Sequence, residues 1–83
     1  MPKIPRNISG KKLVKILFKI GYRETRRSST HIRLSKKNSH NLEHHITIPD
    51  HNNIKIGTLN NIINDLSDHL RVEKKKLIKE LFK

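Results

Sequence analysis

Apolar residues recur along the chain with two different periods, and the switches between them mark out the elements. Leu13, Ile16, Leu17 and Ile20 fall at i, i+3, i+4 and i+7, the single apolar stripe of an amphipathic helix. Ser9 stands where an N-cap belongs and Gly21 where a left-handed C-cap does, so the spacing predicts a helix over about 9–20. The period then drops to two. Tyr22–Arg27 alternates weakly and is expected as a first strand. Thr30–Leu34 sends Ile32 and Leu34 to one side and His31 and Arg33 to the other. His44–Ile48 repeats the pattern, with Ile46 and Ile48 on the core side, and Pro49, which cannot donate to a ladder, ends it. Ser28-Ser29 reads as a turn, and Ser35–Asn41 as a polar, turn-rich loop.

The helical period returns at Leu59, Ile62, Ile63 and Leu66, with Gly57-Thr58 at its start. A polar break is expected over Ser67–Arg71. Val72, Leu77, Ile78, Leu81 and Phe82 then outline a shorter third helix. The expected fold is α+β, in the order α-β-β-β-α-α. Helices cover one face of a small three-stranded antiparallel sheet and leave its other face open to a ligand. Phe18 and Tyr22 are expected in the core.

Composition narrows the picture. Eighty-three residues suit one domain spanning 1–83. The absence of cysteine excludes disulfide frameworks, thiolate metal sites and cysteine nucleophiles. No apolar run approaches membrane-spanning length and the N-terminus has no secretory core, so a cytoplasmic chain is expected. The formal charge is +12 and unevenly spread. Residues 1–37 carry twelve Lys and Arg against Glu24, a net of +11, whereas residues 38–70 carry Lys55 against four carboxylates, a net of −3. A polyanion would meet chiefly the first half of the chain. Lys11, Lys12, Lys15 and Lys19 fit the ordinary role of solvating a helix face. Arg26, Arg27 and Arg33 are harder to dismiss, because they cluster in the expected hairpin around His31. A histidine beside fixed positive charge suits the handling of a phosphodiester.

The other histidines compete for attention. His40, His44 and His45 invite a metal reading, but neighbours on a strand point to opposite faces and do not readily share one ion, so no metal is expected. His45 shares the parity of His31. His69 falls in the polar break and is expected in solvent. With aromatics confined to Phe18, Tyr22 and Phe82, a base-stacking platform is not expected.

Three segments together resemble the HicA family, small ribonuclease toxins of bacterial and archaeal toxin–antitoxin pairs. They are Ile8-Ser9-Gly10-Lys11-Lys12-Leu13 through Gly21-Tyr22; Ser29-Thr30-His31, where the family usually has Gly-Ser-His; and Ile46-Thr47-Ile48-Pro49-Asp50-His51 followed by Lys55-Ile56-Gly57-Thr58-Leu59. The resemblance runs from about residue 6 to residue 82. It implies a fold similar to a double-stranded-RNA-binding domain and metal-independent endonucleolytic cleavage of mRNA without a cofactor. It also implies neutralisation by a HicB-type antitoxin, as in a type II system, and His31 as the catalytic base. Ser29 departs from the usual glycine; if that position requires a positive φ, serine adds strain.

Cleavage of RNA without a metal needs a base for the 2′-hydroxyl, an acid for the leaving oxygen, and cations for the developing charge. Arg26, Arg27, Arg33 and Lys36 are the candidate phosphate ligands by charge and position. His45, on the parity of His31, and His51, at the Pro-x-His position, are candidate acid–base partners. The rival expectation is a non-catalytic basic module that binds RNA on the same surface.

Overall fold

Burial alternates along the strands and decides which face of the sheet the helices take. In the computed structural model, which describes residues 4–37 and 40–82, Ile32, Leu34, Ile46 and Ile48 are all buried. They form an apolar floor on one side of an antiparallel sheet of β1 (Arg23–Arg27), β2 (His31–Lys37) and β3 (Glu43–Pro49), ordered β1-β2-β3. Helices α1 (Gly10–Phe18), α2 (Ile56–Leu70) and α3 (Lys74–Leu81) complete the order α-β-β-β-α-α. The α+β architecture expected from the periodicities is the one found. Leu13, Leu17, Leu59, Ile63 and Leu66 are fully buried against the floor, and Leu77, Ile78 and Leu81 join the same core from α3.

Helix α1 starts where its sequence says but ends at Phe18, two residues short of the expected 20, and tighter three-residue bonds carry the chain on to Gly21. Ser9, extended, caps it by accepting from the Lys12 N–H at 3.1 Å, and Gly21 turns the chain out with φ 103°. Gly10 is needed for a different reason. A Cβ there would lie 2.1 Å from the Pro49 carbonyl oxygen, so only bare backbone can seat the first turn of α1 on the end of β3. The Gly10 N–H donates to the His51 carbonyl at 2.9 Å, fastening the same joint.

Four expectations need correction. Phe18 is not in the core but 40% exposed, because it lies one position off the buried stripe of Leu13, Val14 and Leu17. Strand β2 does not end at Leu34; it runs through Lys37, and residues 38 and 39 of the expected loop lie outside the described residues. Ser35 is buried there, held by Thr25 Oγ1 at 3.2 Å and His45 Nδ1 at 2.5 Å, so hydrogen bonds replace the apolar signal. Nor does α2 break at Ser67. Leu70, four residues after Leu66, continues the apolar stripe, and the helix ends only at Arg71 with φ 54°. Finally, His69 lies inside that helix rather than in solvent.

Candidate nucleic-acid interface

His31 opens β2, and the residues just before it hold it in place. Ser28 Oγ accepts from the His31 N–H at 3.1 Å and, at 3.4 Å, from the Thr30 N–H, while the Ser28 N–H donates to the His31 carbonyl at 2.8 Å. The turn is thus closed by a serine side chain. Ser29 is absent from the positive-φ residues Asn7, Asn41 and Arg71, so the turn does not require glycine at that position and serine is unstrained. The Thr30 carbonyl accepts from the Asp50 N–H at 2.9 Å, which ties the turn to the end of β3.

The exposed imidazole makes one hydrogen bond, between its Nδ1 and Thr30 Oγ1 at 2.8 Å. Nε2 has no partner among the described residues. In the tautomer that carries its proton on Nδ1, the ring donates to Thr30 and leaves the Nε2 lone pair available to accept a proton.

Register decides which cations share that face. Arg26 lies opposite Arg33, and Arg33 has the parity of His31, so these three side chains occupy the open face of the sheet. No carboxylate pairs with Arg26 or Arg33 among the described residues. Two guanidinium groups set directly opposite one another repel, and a bound anion relieves that repulsion. Arg27, by contrast, lies opposite the buried Ile32 and so leaves the sheet on the helix side. There it meets Glu24 at 2.8 Å and Asp50 at 3.6 Å. Lys36 is also on the helix side. Its ammonium donates to the Ile20 carbonyl at 2.6 Å, at the C-terminal end of α1, where a cation suits the helix dipole. The structure therefore brings Arg26 and Arg33 together with His31 and keeps Arg27 and Lys36 apart from that face.

The remaining histidines separate as well. His45 is on the open face but opposite Ser35, four residues along β2 from His31, or about 13 Å. His51 is exposed and lies two residues beyond Pro49, the register partner of His31. His44 turns to the helix side. Its Nδ1 is 2.8 Å from the Tyr22 hydroxyl, its Nε2 is 3.3 Å from an Asp65 carboxylate oxygen, and its ring stacks on His69 with centroids 4.0 Å apart. With Nε2–H directed at the carboxylate, Nδ1 accepts from the Tyr22 hydroxyl. Burial, reinforced by the Asp65 charge, pushes the Tyr22 phenol up to about 12. His69 is held below its ordinary range by burial first, then by His44 and Lys36, with Asp65 opposing. Among the described residues, no group of three His, Asp or Glu side chains is arranged to hold a metal ion.

Sequence reasoning missed the parts played by Ser28, Thr30 and Asp50. The hydroxyl run Ser28-Ser29-Thr30 ahead of His31 was the available signal, and the backbone bond from Asp50 had none. No helix is long and apolar enough to cross a membrane among the described residues. A family model described as HicA toxin of bacterial toxin–antitoxin matches residues 10–67, which takes in α1, the whole sheet and most of α2 but not α3. No curated protein and no solved structure matches the chain.

Proposed function

Because the chain belongs to the HicA family of toxins from bacterial toxin–antitoxin systems, we propose that it is an endoribonuclease that cuts mRNA without a metal and is held inactive by a HicB-type antitoxin. One arrangement carries this reading: an exposed imidazole with Nδ1 tied to Thr30, on the same open face as Arg26 and Arg33, which no carboxylate pairs with among the described residues. Nε2 of His31 takes the proton from a ribose 2′-hydroxyl. The oxygen attacks the adjacent phosphorus, the bond to the 5′-oxygen breaks, and a 2′,3′-cyclic phosphate is left. Arg26 and Arg33 stabilise the extra negative charge on the phosphorus oxygens as it develops. The leaving 5′-oxygen needs a proton, and His51 is the candidate donor because it lies at the same end of the sheet as His31. His45, about 13 Å away along the strand, is out of reach of the same phosphate.

The test is RNA integrity in EDTA. Antitoxin-free protein is expected to cut a defined mRNA, and His31→Ala to lose the activity by at least about a hundred-fold while still binding RNA. Equal cleavage by both proteins would move the chemistry to another residue. Salt-sensitive binding by both, with no cleavage by either, would leave a non-catalytic RNA-binding module.

A further inference from the structure

Phe18 is large, apolar and 40% exposed at the end of α1, and the Arg23 guanidinium lies 5.8 Å from its ring centroid. It forms part of a groove of about 300 Å³ between α1 and β1, lined by Lys11, Val14, Lys15, Phe18, Glu24 and Arg27. The Glu24 carboxylate is taken by Arg27 at 2.8 Å, and no carboxylate pairs with Lys11 or Lys15 among the described residues. The groove thus combines an apolar floor, an aromatic ring and two uncompensated ammonium groups.

An unstacked nucleotide matches each of these features. Its base offers a flat π-face to Phe18 and an edge to Val14, and its phosphates meet Lys11 and Lys15. An acidic protein segment would satisfy the lysines but would give the ring no stacking partner. The groove lies on the helix side of the sheet, but its Arg27 end reaches the same end of the hairpin as the His31 turn. Arg27 lines it and contacts Asp50 at 3.6 Å, and the Asp50 N–H donates to the Thr30 carbonyl. Arg23, beside Phe18, is the first residue of β1 and Arg27, which lines the groove, the last, so about 13 Å of strand separates them, a span of a few nucleotides.

We infer that this groove is a subsite for single-stranded RNA, in which one base flanking the cleavage point stacks on Phe18 while the backbone follows β1 past Lys15 and Lys11 and rounds the end of the hairpin to reach His31 on the open face. A duplex cannot use it, because its bases are already stacked and paired. The inference deepens the ribonuclease reading by naming the strand state of the substrate, yet its test reads binding alone.

The chain contains no tryptophan, so Phe18→Trp introduces a single reporter at the proposed stacking position. In a His31→Ala background, a short single-stranded RNA should quench that fluorescence, and the matching duplex should not. In the same background, Phe18→Ala should weaken single-strand binding by about five-fold or more and leave duplex binding unchanged, while the tryptophan variant retains full affinity. Quenching without any cleavage by the wild type would keep the subsite and sink the enzyme. Cleavage without quenching, with unchanged affinity in Phe18→Ala, would overturn the subsite and leave the groove to a protein partner. Equal quenching by single strand and duplex would overturn the claimed strand preference.

Discussion

A single hydroxyl group decides how His31 presents itself. With Thr30 Oγ1 on Nδ1, the ring is held in one orientation, and the tautomer that donates from Nδ1 leaves Nε2 able to accept a proton. Removing the hydroxyl without changing the side-chain shape frees the ring. Thr30→Val is therefore expected to lower RNA cleavage by about one to two orders of magnitude, with RNA affinity preserved, and Thr30→Ser to retain most of the activity. NMR relaxation of the His31 ring should show a restricted side chain in the wild type and rotamer averaging in Thr30→Val. Equal restriction in both proteins would remove the role assigned to Thr30. The same scale shows why charge alone was a poor guide to the site. Arg26 and Arg27 are neighbours in sequence, yet they leave β1 on opposite faces. Lys36 lies beside Ser35 but is turned to the carbonyl end of α1. A count of cations cannot distinguish them; strand register does.

Elements meet through two joints with opposite chemistry. The joint between α1 and β3 is made of bare backbone, with Gly10 against Pro49. Gly10→Ala, normally favourable within a helix, is here expected to cost about 1–3 kcal/mol, because the methyl group must displace the Pro49 carbonyl. Thermal unfolding would register the loss, and an unchanged midpoint would mean the joint yields freely. The joint between the sheet and α2 is polar and titratable, with His44 bonded to Tyr22 and Asp65 and stacked on His69. His69 is held below its ordinary value of 6.5 in the folded chain, so the unfolded chain binds its proton more readily. Its contribution to stability is present above about pH 6.5 and is lost as pH falls through the depressed value. Between about pH 7.5 and about pH 5, the melting temperature of His69→Phe, which keeps a stacking ring but no titrating nitrogen, should fall less than that of the wild type. Parallel curves would place the acid sensitivity in other histidines. That joint also explains why part of the fold was illegible. The helical and strand periods of Leu, Ile and Val located every element but β1, whose five residues include none of the three. The extension at Ser35–Lys37 is held by polar contacts made across the fold, which leave no local pattern, whereas the extension at Ser67–Leu70 keeps the apolar stripe through Leu70.

The whole molecule divides its work between the two sides of one sheet. The helix side is the core, closed by apolar side chains and by the Tyr22–His44–Asp65 chain. The open side carries His31, Arg26 and Arg33, with Ser35 and His45 paired further along. The concentration of positive charge in the first 37 residues follows from this plan, since β1 and β2 carry the cations of the open face, and α1 with β1 lines the proposed groove. Of the candidate site, the sequence carried the shared face of His31 and Arg33 through strand parity, while the choice of His31 as base came from the family resemblance. Its supporting shell was not legible, because Ser28, Thr30 and Asp50 act through a turn and a cross-strand backbone bond that only the folded chain assembles.

Tyr22 is the only tyrosine, and there is no tryptophan, so the near-ultraviolet absorbance of this protein comes chiefly from one phenol fixed where α1, β3 and α2 meet. That makes the protein its own optical gauge of alkaline unfolding. The phenol is raised to about 12 in the folded state from 10.0, so the stability it contributes is complete below about pH 10 and fades as pH climbs toward 12. In a spectrophotometric titration, the tyrosinate band should appear later than for a free phenol and should rise together with the loss of helical circular dichroism. A band that grows while the helices persist would mean the phenol ionises inside an intact fold.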